Sequence, residues 1–474
     1  MYTKLGLFIG GKWIYEAKKG EDVLNPFDES VLGWLPHATE NNLNDAVKSS
    51  EKGFDEWKNT DPETRGRIIL KAADILSKRI SAVSKVMTLE QGKPLAESAG
   101  EINQSIAILK FNGTNAKLLK DDLVADRDNG LKTFIKPQPL GVCLCLTAWN
   151  FPIALVIRKI APALAAGCSV IIKPSEETPG TAVEVVKIFL EAGLPKDVIN
   201  LVFGVPNEIS DYLLSRDEVK KVSFTGSVPV GKLLAKKAAE TLKRCTLELG
   251  GHSPAIIAED ADIEATLDTL TGFKFRNAGQ VCIAPSRFYV HEKIYDKVKD
   301  GFLKRIKNIT LGNGMSEGVS MGPLSNSRRI DAMKDFVDDA IKNGSNIIYG
   351  GSRHKGVGYF WEPTLIENIN VGSKMMTQEI FGPILPLFKF KDYDDVIEKA
   401  NSLNFGLASY VYTTSKDLQE KMAQEIVAGG VSINTAAPMH PEIPYGGIKE
   451  SGIGYEGGMD AIYSYIHKKN INII

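Results

Sequence analysis

The chain has 474 residues, 43% hydrophobic and 24% charged, so it is long enough for two or three domains with large cores. Lysine and arginine total 57 against 58 aspartate and glutamate, a formal net charge of -1. A nucleic acid or an acidic membrane would meet no dominant basic field, so neither is an expected partner. The five cysteines are scattered and no secretory signal is visible, which predicts a cytoplasmic protein.

Strand-like and helix-like segments alternate between residues 142 and 249. The predicted strands are 142–147, 169–173, 198–203, 221–224 and 245–249, and the predicted helices are 152–166, 178–192, 208–214 and 230–241. This alternation predicts a parallel sheet covered on both faces, with ligands at the carboxyl ends of its strands. The uncharged run 140–157 is broken by Asn150-Phe151-Pro152, so it is interpreted as a strand, a turn and a buried helix rather than a membrane span.

A second α/β region is predicted from about residue 262 to 430. It contains the predicted strands 286–291 and 346–349 and the predicted helices 295–309 and 327–343. Residues 121–136 are polar and interrupt the pattern before the first strand of the earlier region. The tail 470–474 is predicted to be an apolar strand, and an uncovered terminal strand invites pairing, so we expect it to pair with another subunit.

Cys282 follows a stretch of small residues, 277–279, that can bring backbone N–H groups close to its sulfur. A free thiol is most often a buried structural residue. However, polar segments around Asn150 and Glu248 offer an amide donor and a carboxylate base, and the three together make a set for covalent catalysis. Ala284 stands where a caspase-type signature needs glycine, which disfavours a cysteine protease. No metal site is predicted, because the C-x-C pair at 143–145 has no second cluster.

The segment from Gly226 to Lys232 matches G-x-x-x-x-G-K and is the strongest phosphate-loop candidate. Leu233 stands where a magnesium-binding loop needs serine or threonine, so a nucleotidase is disfavoured. The strand–turn–helix context still suits a pyrophosphate at a helix N-terminus. Two further loops, 173–176 and 378–383, offer a ribose contact and a carboxylate beside an aromatic ring. Ordinary turns remain the alternative for all three.

Taken together, these segments resemble the aldehyde dehydrogenase superfamily over nearly the whole chain, from Phe8-Ile9-Gly10-Gly11-Lys12-Trp13 to Pro444-Tyr445-Gly446-Gly447-Ile448-Lys449-Glu450-Ser451-Gly452. The resemblance implies an α/β fold and a homodimer or homotetramer. It also implies four parts: a Rossmann-like cofactor-binding domain (1–120 and 142–249), an α/β catalytic domain (250–430), a small β oligomerisation element (121–141 and 455–474) and a substrate loop (431–454).

The resemblance assigns a role to each polar segment. Cys282 would attack the aldehyde carbon, and the Asn150 amide and the Cys282 backbone N–H would hold the oxyanion. The thiohemiacetal would pass hydride to NAD(P), and Glu248 would activate water against the resulting thioester. Glu456 matches a proposed proton-relay position. The cofactor contacts implied are Trp149, Lys173, Ser175, Glu176, Gly226, Ser227, Leu249, Glu379 and Phe381.

The segments 87–95 and 156–168 look most like the succinate-semialdehyde dehydrogenase branch. That branch holds the distal carboxylate of its substrate with two arginines, matched here by Arg158 and Arg276, and paired guanidinium groups suit a carboxylate. Structural arginines are the alternative. His440 stands about where the branch usually offers a serine, which leaves room for α-ketoglutarate semialdehyde. Ala284 replaces a second cysteine, so no disulfide switch is expected at Cys282.

Two alternatives remain for the function, and one expectation concerns the cofactor. The protein could act on an aliphatic or hydroxy aldehyde without a carboxylate, or it could be a catalytically silent structural or binding relative. Glu176 would accept a hydrogen bond from the ribose 2′-OH and repel a 2′-phosphate, so NAD is predicted over NADP, with NADP still possible.

Overall fold

A computed structural model gives the fold of residues 2–436 and 439–474. The strands in chain order are β1 Leu7–Ile9, β2 Lys12–Ile14, β3 Gly20–Leu24, β4 Val31–Pro36, β5 Asp122–Asp126, β6 Lys132–Pro139, β7 Val142–Leu146, β8 Ser169–Lys173, β9 Ile199–Leu201, β10 Val219–Thr225, β11 Arg244–Glu248, β12 Ser253–Ile257, β13 Pro285–His291, β14 Asn346–Tyr349, β15 Thr364–Glu367, β16 Ile384–Phe390, β17 Ala408–Tyr412, β18 Gly430–Ile433, β19 Gly452–Ile453 and β20 Ile466–Ile473.

Helices alternate with these strands through most of the chain. They are α1 Glu40–Trp57, α2 Pro62–Lys78, α3 Ile80–Gln91, α4 Leu95–Asn115, α5 Pro152–Ala166, α6 Pro179–Ala192, α7 Pro206–Ser215, α8 Val228–Ala239, α9 Ile263–Phe275, α10 Tyr295–Ile306, α11 Ser327–Lys342, α12 Lys374–Thr377, α13 Tyr393–Asn401, α14 Lys416–Glu425 and α15 Gly458–Tyr463. None of the helices in the described residues is long and apolar enough to cross a bilayer.

The first sheet has the order β19-β11-β10-β7-β8-β9-β1-β2. Strands β7 to β11 run parallel, as predicted, and the registers pair Leu146 with Phe224 and with Lys173. The edges differ from the prediction, because β1, β2 and β19 join antiparallel. These edge strands come from chain segments outside the alternating region, so the alternation carried no information about them.

Proline and glycine mark the ends of the helices that cover this sheet. Helix α5 begins with Pro152 and ends at Gly167, whose φ is 96°, and α6 begins with Pro179 and ends at Gly193, whose φ is 100°. Proline fits the first helical turn, and glycine tolerates the left-handed stop. The predicted helices 152–166 and 178–192 therefore agree with the structure to within one residue. Helices α1 to α4 fill residues 40–115, a region that the alternating pattern did not reach.

The second sheet has the order β14-β15-β16-β13-β12-β17-β18 and is parallel except for β14. It buries a separate hydrophobic cluster around Phe288, Leu387 and Tyr410. The second α/β region predicted from the sequence therefore forms its own sheet and core.

A third sheet joins the chain tail to the polar segment 121–136. Strand β20 pairs antiparallel with β6 from Ile466↔Pro139 to Ile473↔Lys132, and β6 also pairs with β5. The sequence predicted that the tail would pair with another subunit, whereas the structure pairs one edge of it within its own chain. The polar segment 121–136, which interrupts the predicted pattern, belongs to the β5–β6 hairpin. Little of this hairpin is buried, so its side chains need not be apolar.

The carboxyl edge of the first sheet collects polar side chains from neighbouring strands. Glu248 ends β11 and pairs in register with Thr225, which ends β10, while Lys173 ends β8. Asn150 lies in the turn between β7 and α5. Parallel strands align their carboxyl ends, so these four segments meet at one edge, as the sequence predicted.

Candidate active site

A cavity of about 350 Å³, the central cavity, lies between this sheet edge and the loop that carries Cys282. Many predicted site residues line it: Asn150, Glu248, Cys282, Glu456, Trp149, Gly226, Ser227, Leu249, Glu379, Phe381 and Arg158. Residues separated by up to 307 positions in sequence thus share one wall. The remaining predictions, Lys173, Ser175, Glu176, Arg276 and His440, do not line this cavity.

The backbone before Cys282 adopts an unusual left-handed course. After α9 ends, Asn277, Ala278 and Gly279 have φ angles of 51°, 51° and 72°. Left-handed φ is uncommon outside glycine and clusters at functional sites. Gly279 is needed for a second reason, since a Cβ there would lie 2.2 Å from the carbonyl oxygen of Gly382. The turn redirects the chain so that Cys282 reaches the cavity.

Hydrogen bonds from distant segments hold this turn in place. The Asn277 backbone N–H donates to Glu97 Oε2 at 2.7 Å, and Gln91 Nε2 donates to Asn277 Oδ1 at 2.7 Å. Asn277 Nδ2 donates to the carbonyl oxygen of Asn150 at 2.9 Å. The loop that carries Cys282 and the turn that carries Asn150 are therefore joined directly by a hydrogen bond.

The Cys282 sulfur is close to one hydroxyl group, that of Tyr445, at 3.5 Å. Burial raises the pKa of Cys282 to about 11, and the nearby carboxylates of Glu379 and Glu248 act in the same direction. The group is therefore a thiol at neutral pH in this state, and it needs a base or stabilising donors to become a thiolate. The sequence predicted no role for Tyr445, which lies within the family-like segment 444–452.

Asn150 is held from both ends of its residue. Its side-chain Nδ2 donates to the carbonyl oxygen of Gln280 at 3.1 Å, and its own carbonyl accepts from Lys93 Nζ at 2.7 Å. A primary amide has two N–H donors, so one remains for a ligand in the central cavity. This geometry suits the donor role that the resemblance implies.

Glu248 is buried without hydrogen-bond support. It is 4% exposed, and neither carboxylate oxygen has a partner among the described residues. Burial raises the pKa of Glu248 well above its usual value, and the neighbouring Glu456 raises it further. A carboxyl group with a raised pKa in a cavity is typical of a general base or acid.

Glu456 is paired with a fully buried lysine. Lys159 Nζ forms an ion pair with Glu456 Oε1, and Ser223 Oγ donates to the same oxygen at 3.2 Å. Two backbone hydrogen bonds, of 2.7 and 2.6 Å, also join Glu456 to Tyr445. The carboxyl group is thereby held in one position at the cavity wall.

One end of the cavity has features that suit a dinucleotide. Ser227 caps α8, and its side chain makes no capping hydrogen bond, so its hydroxyl stays available at a helix N-terminus. The rings of Trp149 and Phe381 meet edge to face with centroids 5.6 Å apart. Glu379 Oε1 accepts from the Gly251 N–H at 3.2 Å, and burial raises the pKa of Glu379 to about 7.

The predicted ribose contacts form a separate group at the end of β8. Lys173 Nζ lies 2.7 Å from Glu176 Oε2, and the Gly204 N–H donates to Glu176 Oε1 at 3.2 Å. The Ser175 hydroxyl bonds to Glu177. The structure thus brings Lys173 and Glu176 together but keeps them away from the central cavity.

The two predicted arginines have different surroundings. Arg158 is 5% exposed, and its Nη1 has no partner among the described residues, while Nη2 contacts only the Met439 sulfur at 3.8 Å. The Arg276 guanidinium instead lies 5.1 Å from the ring of Phe151 and does not line the cavity. Only Arg158 of the pair therefore faces the cavity.

His440 is exposed and does not line the cavity, whereas its neighbour Met439 does. Ala437 and Pro438, from the same predicted substrate loop, lie outside the described residues. The structure therefore gives no support for a contact between His440 and a ligand in the central cavity.

A layer of polar residues behind the wall was missed by the sequence analysis. Lys93 Nζ donates to Glu101 Oε2 at 2.7 Å, and Glu101 Oε1 accepts from the N–H groups of Ile153 and Ala154 at 3.1 Å each. Glu101 thus caps the N-terminus of α5, next to Asn150. A lysine and a glutamate eight residues apart in predominantly buried helical surroundings were the only available signal.

The chemistry of the set follows from its parts. A buried thiol, an amide donor and an unsupported carboxylate can add sulfur to a carbonyl and then hydrolyse the product. An unpaired guanidinium at the same cavity can bind an anionic group.

Comparison with known proteins adds independent information. The family model described as "Aldehyde dehydrogenase family" matches residues 13–471. A succinate semialdehyde dehydrogenase of Acinetobacter baylyi is 36% identical over 463 residues, covering 97% of this chain and 96% of the relative. A succinate-semialdehyde dehydrogenase [NADP(+)] of Escherichia coli K12 is 34% identical over 463 residues, with 97% and 96% covered. A structure of betaine aldehyde dehydrogenase from Staphylococcus aureus in complex with NAD+ has a TM-score of 0.96 at 33% identity, covering 99% of this chain and 95% of that one.

Proposed function

Because the chain belongs to the aldehyde dehydrogenase family, and is thus an aldehyde-oxidising enzyme, we propose that it oxidises a semialdehyde with a distal carboxylate, most simply succinate semialdehyde, to the dicarboxylic acid. The observation that carries this substrate class is the buried, unpartnered Arg158 guanidinium in the central cavity. The names of the Acinetobacter and Escherichia relatives agree with it.

In the proposed mechanism the Cys282 sulfur attacks the aldehyde carbon. The Asn150 amide and the Cys282 backbone N–H donate to the oxygen that becomes negative, which favours the thiohemiacetal. The thiohemiacetal carbon must give up a hydride to become a thioester, and a bound NAD(P)+ would accept it. Glu248 then removes a proton from the water that attacks the thioester, because the sulfur is bonded to the substrate and cannot act as the base. Glu456, held by Lys159, passes the proton onward and keeps the Glu248 pKa raised.

NAD(P)+ is the cofactor class of the family, and the residues fit it. Ser227 at the α8 N-terminus and Gly226 would hold the pyrophosphate, with Lys173, Ser175 and Glu176 at the adenosine ribose. Glu379 would hold the nicotinamide ribose, and Trp149, Leu249 and Phe381 would enclose the ring. A Cβ at Gly250 would lie 2.4 Å from Glu379 Oε2, so glycine there lets the Glu379 carboxyl group keep its position. When bound, the cofactor supplies the hydride acceptor.

NAD+ is proposed as the preferred cofactor on the basis of Glu176. Its carboxylate is held by Lys173 and Gly204 at the predicted ribose contact, where a 2′-phosphate would be repelled. The Escherichia relative is named for NADP, so the choice needs a direct test. We expect kcat/KM to be larger for NAD+ than for NADP+. The Glu176→Ala variant should reduce this ratio of kcat/KM for the two cofactors. A wild-type preference for NADP+ would reject the assignment.

The argument from Arg158 is electrostatic. A buried guanidinium that forms no ion pair is costly, and Glu248, although near enough for Arg158 to lower its pKa, makes no hydrogen bond to it. A substrate carboxylate offers charge-assisted, fork-like hydrogen bonds that compensate. The ring of Tyr445, 5.6 Å away, and the Met439 sulfur cannot neutralise it. The substrate's carboxylate would therefore lie at Arg158 while its aldehyde reaches Cys282.

A panel of aldehydes with the Arg158→Leu variant tests this substrate class. The panel compares succinate semialdehyde, glutarate semialdehyde, α-ketoglutarate semialdehyde and propanal. We expect Arg158→Leu to lower kcat/KM for the semialdehydes by about 10²-fold, mainly through KM, since a charge-assisted hydrogen bond contributes about 1.5–3 kcal/mol. Propanal should be little affected. Arg276→Leu is the matched control, because Arg276 does not line the cavity.

The outcome of this panel also separates the alternatives. An equal loss on propanal and semialdehydes would reject the carboxylate role and favour an aliphatic or hydroxy aldehyde. A wild-type preference for α-ketoglutarate semialdehyde would keep Arg158 but change the substrate. A wild-type enzyme inactive on every aldehyde would favour a catalytically silent relative.

We also infer the division of the chain. Residues 1–120 and 142–249 would form the cofactor-binding domain, 250–430 the catalytic domain, 121–141 and 455–474 the oligomerisation element, and 431–454 the substrate loop. The separate sheets support this division. The outer edge of β20 has no strand partner among the described residues, which suits a homodimer or homotetramer. Light scattering would measure the oligomer, and truncation after residue 465 should dissociate it.

A further inference from the structure

Three charged side chains in the described residues contain a buried polar atom and make no hydrogen bond to nitrogen or oxygen: Glu248, Arg158 and Arg65. The first two line the central cavity. Arg65 lies elsewhere, on α2, and is 5% exposed. Burial lowers its pKa and the nearby Asp61 acts in the opposite direction, but no carboxylate forms a salt bridge with Arg65 in the described part of the chain. Such a charge is costly without a hydrogen-bonded partner, so Arg65 is a candidate for binding an anion.

Arg65 lines a second cavity of about 540 Å³. This hairpin cavity lies between the start of α2, the 3-10 turn Ala116–Leu118 and strand β6. Lys117 and Lys120 are exposed at its rim and form no ion pair within the described residues. Lys58 and Lys136 also line it, but each lies near an acid, Asp55 at 2.5 Å and Asp121 at 3.7 Å.

Acidic side chains at the mouth limit the general positive field. They are Asp61, Glu63 and Asp121. Asp61 is engaged by its own helix, because its side chain accepts from the Thr64 N–H at 2.9 Å. A cavity of this mixed charge would not attract polyanions indiscriminately. Selective binding would instead depend on the buried guanidinium.

We propose that the hairpin cavity binds a small phosphate-bearing anion, held by the Arg65 guanidinium with Lys117 and Lys120 at the rim. A guanidinium presents a planar fork of N–H donors that matches two oxygens of a phosphate, while lysines act as point charges. The anion would also connect α2 with the hairpin β5–β6, and binding would therefore stabilise the position of the third sheet.

A purely structural role for Arg65 is the competing explanation. A Cβ at Gly167 would lie 2.3 Å from Arg65 Nη1, so the guanidinium rests against the C-terminal end of α5. A helix C-terminus favours a nearby cation. If this were the only role, removing Arg65 would lower stability without changing any binding of phosphate.

The test is calorimetric titration of the full-length protein with inorganic phosphate and with pyrophosphate. Saturating NAD+ fills the cofactor's phosphate subsites, and an Arg158→Leu background removes the other unpaired guanidinium. We expect pyrophosphate to bind and to raise Tm both in the wild-type protein and in the Arg158→Leu variant, each saturated with NAD+. Lys117→Ala/Lys120→Ala should weaken binding about fivefold to tenfold, and Arg65→Met at least about tenfold. Lys71→Ala, an exposed lysine on the same helix, should change nothing.

The lysine pair keeps the proposal falsifiable if Arg65→Met does not fold. Absence of binding at millimolar pyrophosphate would overturn the proposal. Binding of equal strength in the wild type and in Lys117→Ala/Lys120→Ala would also overturn it, as an adventitious ion only. Because binding is read by heat and not by turnover, failure here is separable from failure of the proposed enzymatic function.

Discussion

Two charged groups in the wall of the central cavity differ from the charged groups behind it, because the fold gives them no hydrogen-bond partner. In the wall, the carboxylate of Glu248 and the Nη1 of Arg158 have no partner in the described chain. Behind the wall, Lys93 Nζ donates to Glu101 and to a backbone carbonyl, both at 2.7 Å. Farther back, Arg287 donates to three backbone carbonyls at 2.9 Å each.

Charged groups that are hydrogen-bonded support the fold, whereas those without partners are available to react. Buried polar groups cost free energy unless they are hydrogen-bonded, so the satisfied layer stabilises the fold and holds the catalytic segments. The unsatisfied groups in the wall gain nothing from the fold and are available for a ligand or a proton. Changes to the wall should therefore alter chemistry, while changes behind it should alter stability.

Removing the nucleophile should have the largest effect. Cys282→Ser should lower kcat for aldehyde oxidation by roughly 10⁴-fold or more, because loss of a nucleophile removes the covalent route. The measurement is reduced cofactor formed per second, with folding checked by circular dichroism. Cys245→Ser, at a half-buried cysteine outside the cavity, is the control and should stay active. A Cys282→Ser enzyme within tenfold of the wild type would exclude the covalent mechanism.

Glu248→Gln should block the second half of the reaction selectively. We expect a burst of one reduced cofactor per active site, followed by steady-state turnover slowed by roughly 10³-fold, within the range of general base catalysis. Stopped-flow absorbance would resolve both phases. Glu240→Gln, on an exposed residue after α8, should retain full turnover. Loss of the burst together with turnover would show that Glu248 is needed before the thioester forms.

The sequence predicted the sheet edge better than the nucleophile loop. Asn150, Lys173 and Glu248 each follow a short apolar strand, and parallel strands align their ends, so local pattern sufficed. Arg276 also stood in a recognisable motif, but its place outside the cavity lining depends on the turn that follows it. That turn uses left-handed φ at Asn277 and Ala278. Asparagine tolerates this conformation, but no local preference indicates it for Ala278.

The contacts missed by the sequence analysis are long-range. Tyr445 meets Cys282 across 163 positions, and Gln91 meets Asn277 across 186. No spacing rule connects such segments, because they become neighbours only when the whole chain has folded. The motifs predicted many of the residues that line the central cavity, whereas the hydrogen bonds that orient them required the structure.

A substitution behind the wall should show the opposite profile to Glu248→Gln. Lys93→Met leaves the Glu101 carboxylate buried without its cation, which should lower the free energy of unfolding by about 3–5 kcal/mol. Urea denaturation measures this, and Lys110→Met on the exposed face of α4 is the control. If Lys93→Met were as stable as the wild type, the hydrogen-bonded layer behind the wall would not stabilise the fold.

The smallest effect should be a gain in stability from Glu248→Gln that depends on pH. The pKa of Glu248 is raised in the folded state. At pH values above the ordinary pKa of a glutamate, the native protein therefore binds more protons than the unfolded chain. Native stability therefore falls with rising pH through this group, and the neutral amide removes that fall. At pH 8 the variant should be more stable than the wild type by about 1 kcal/mol, a typical cost of an unsatisfied buried group. At pH 5 the difference should shrink. Urea unfolding at both pH values measures this difference in stability. If the difference grew as the pH fell, the Glu248 carboxylate would be stabilised in the fold. The contrast between the unpartnered charges in the wall and the hydrogen-bonded layer behind it would then not hold.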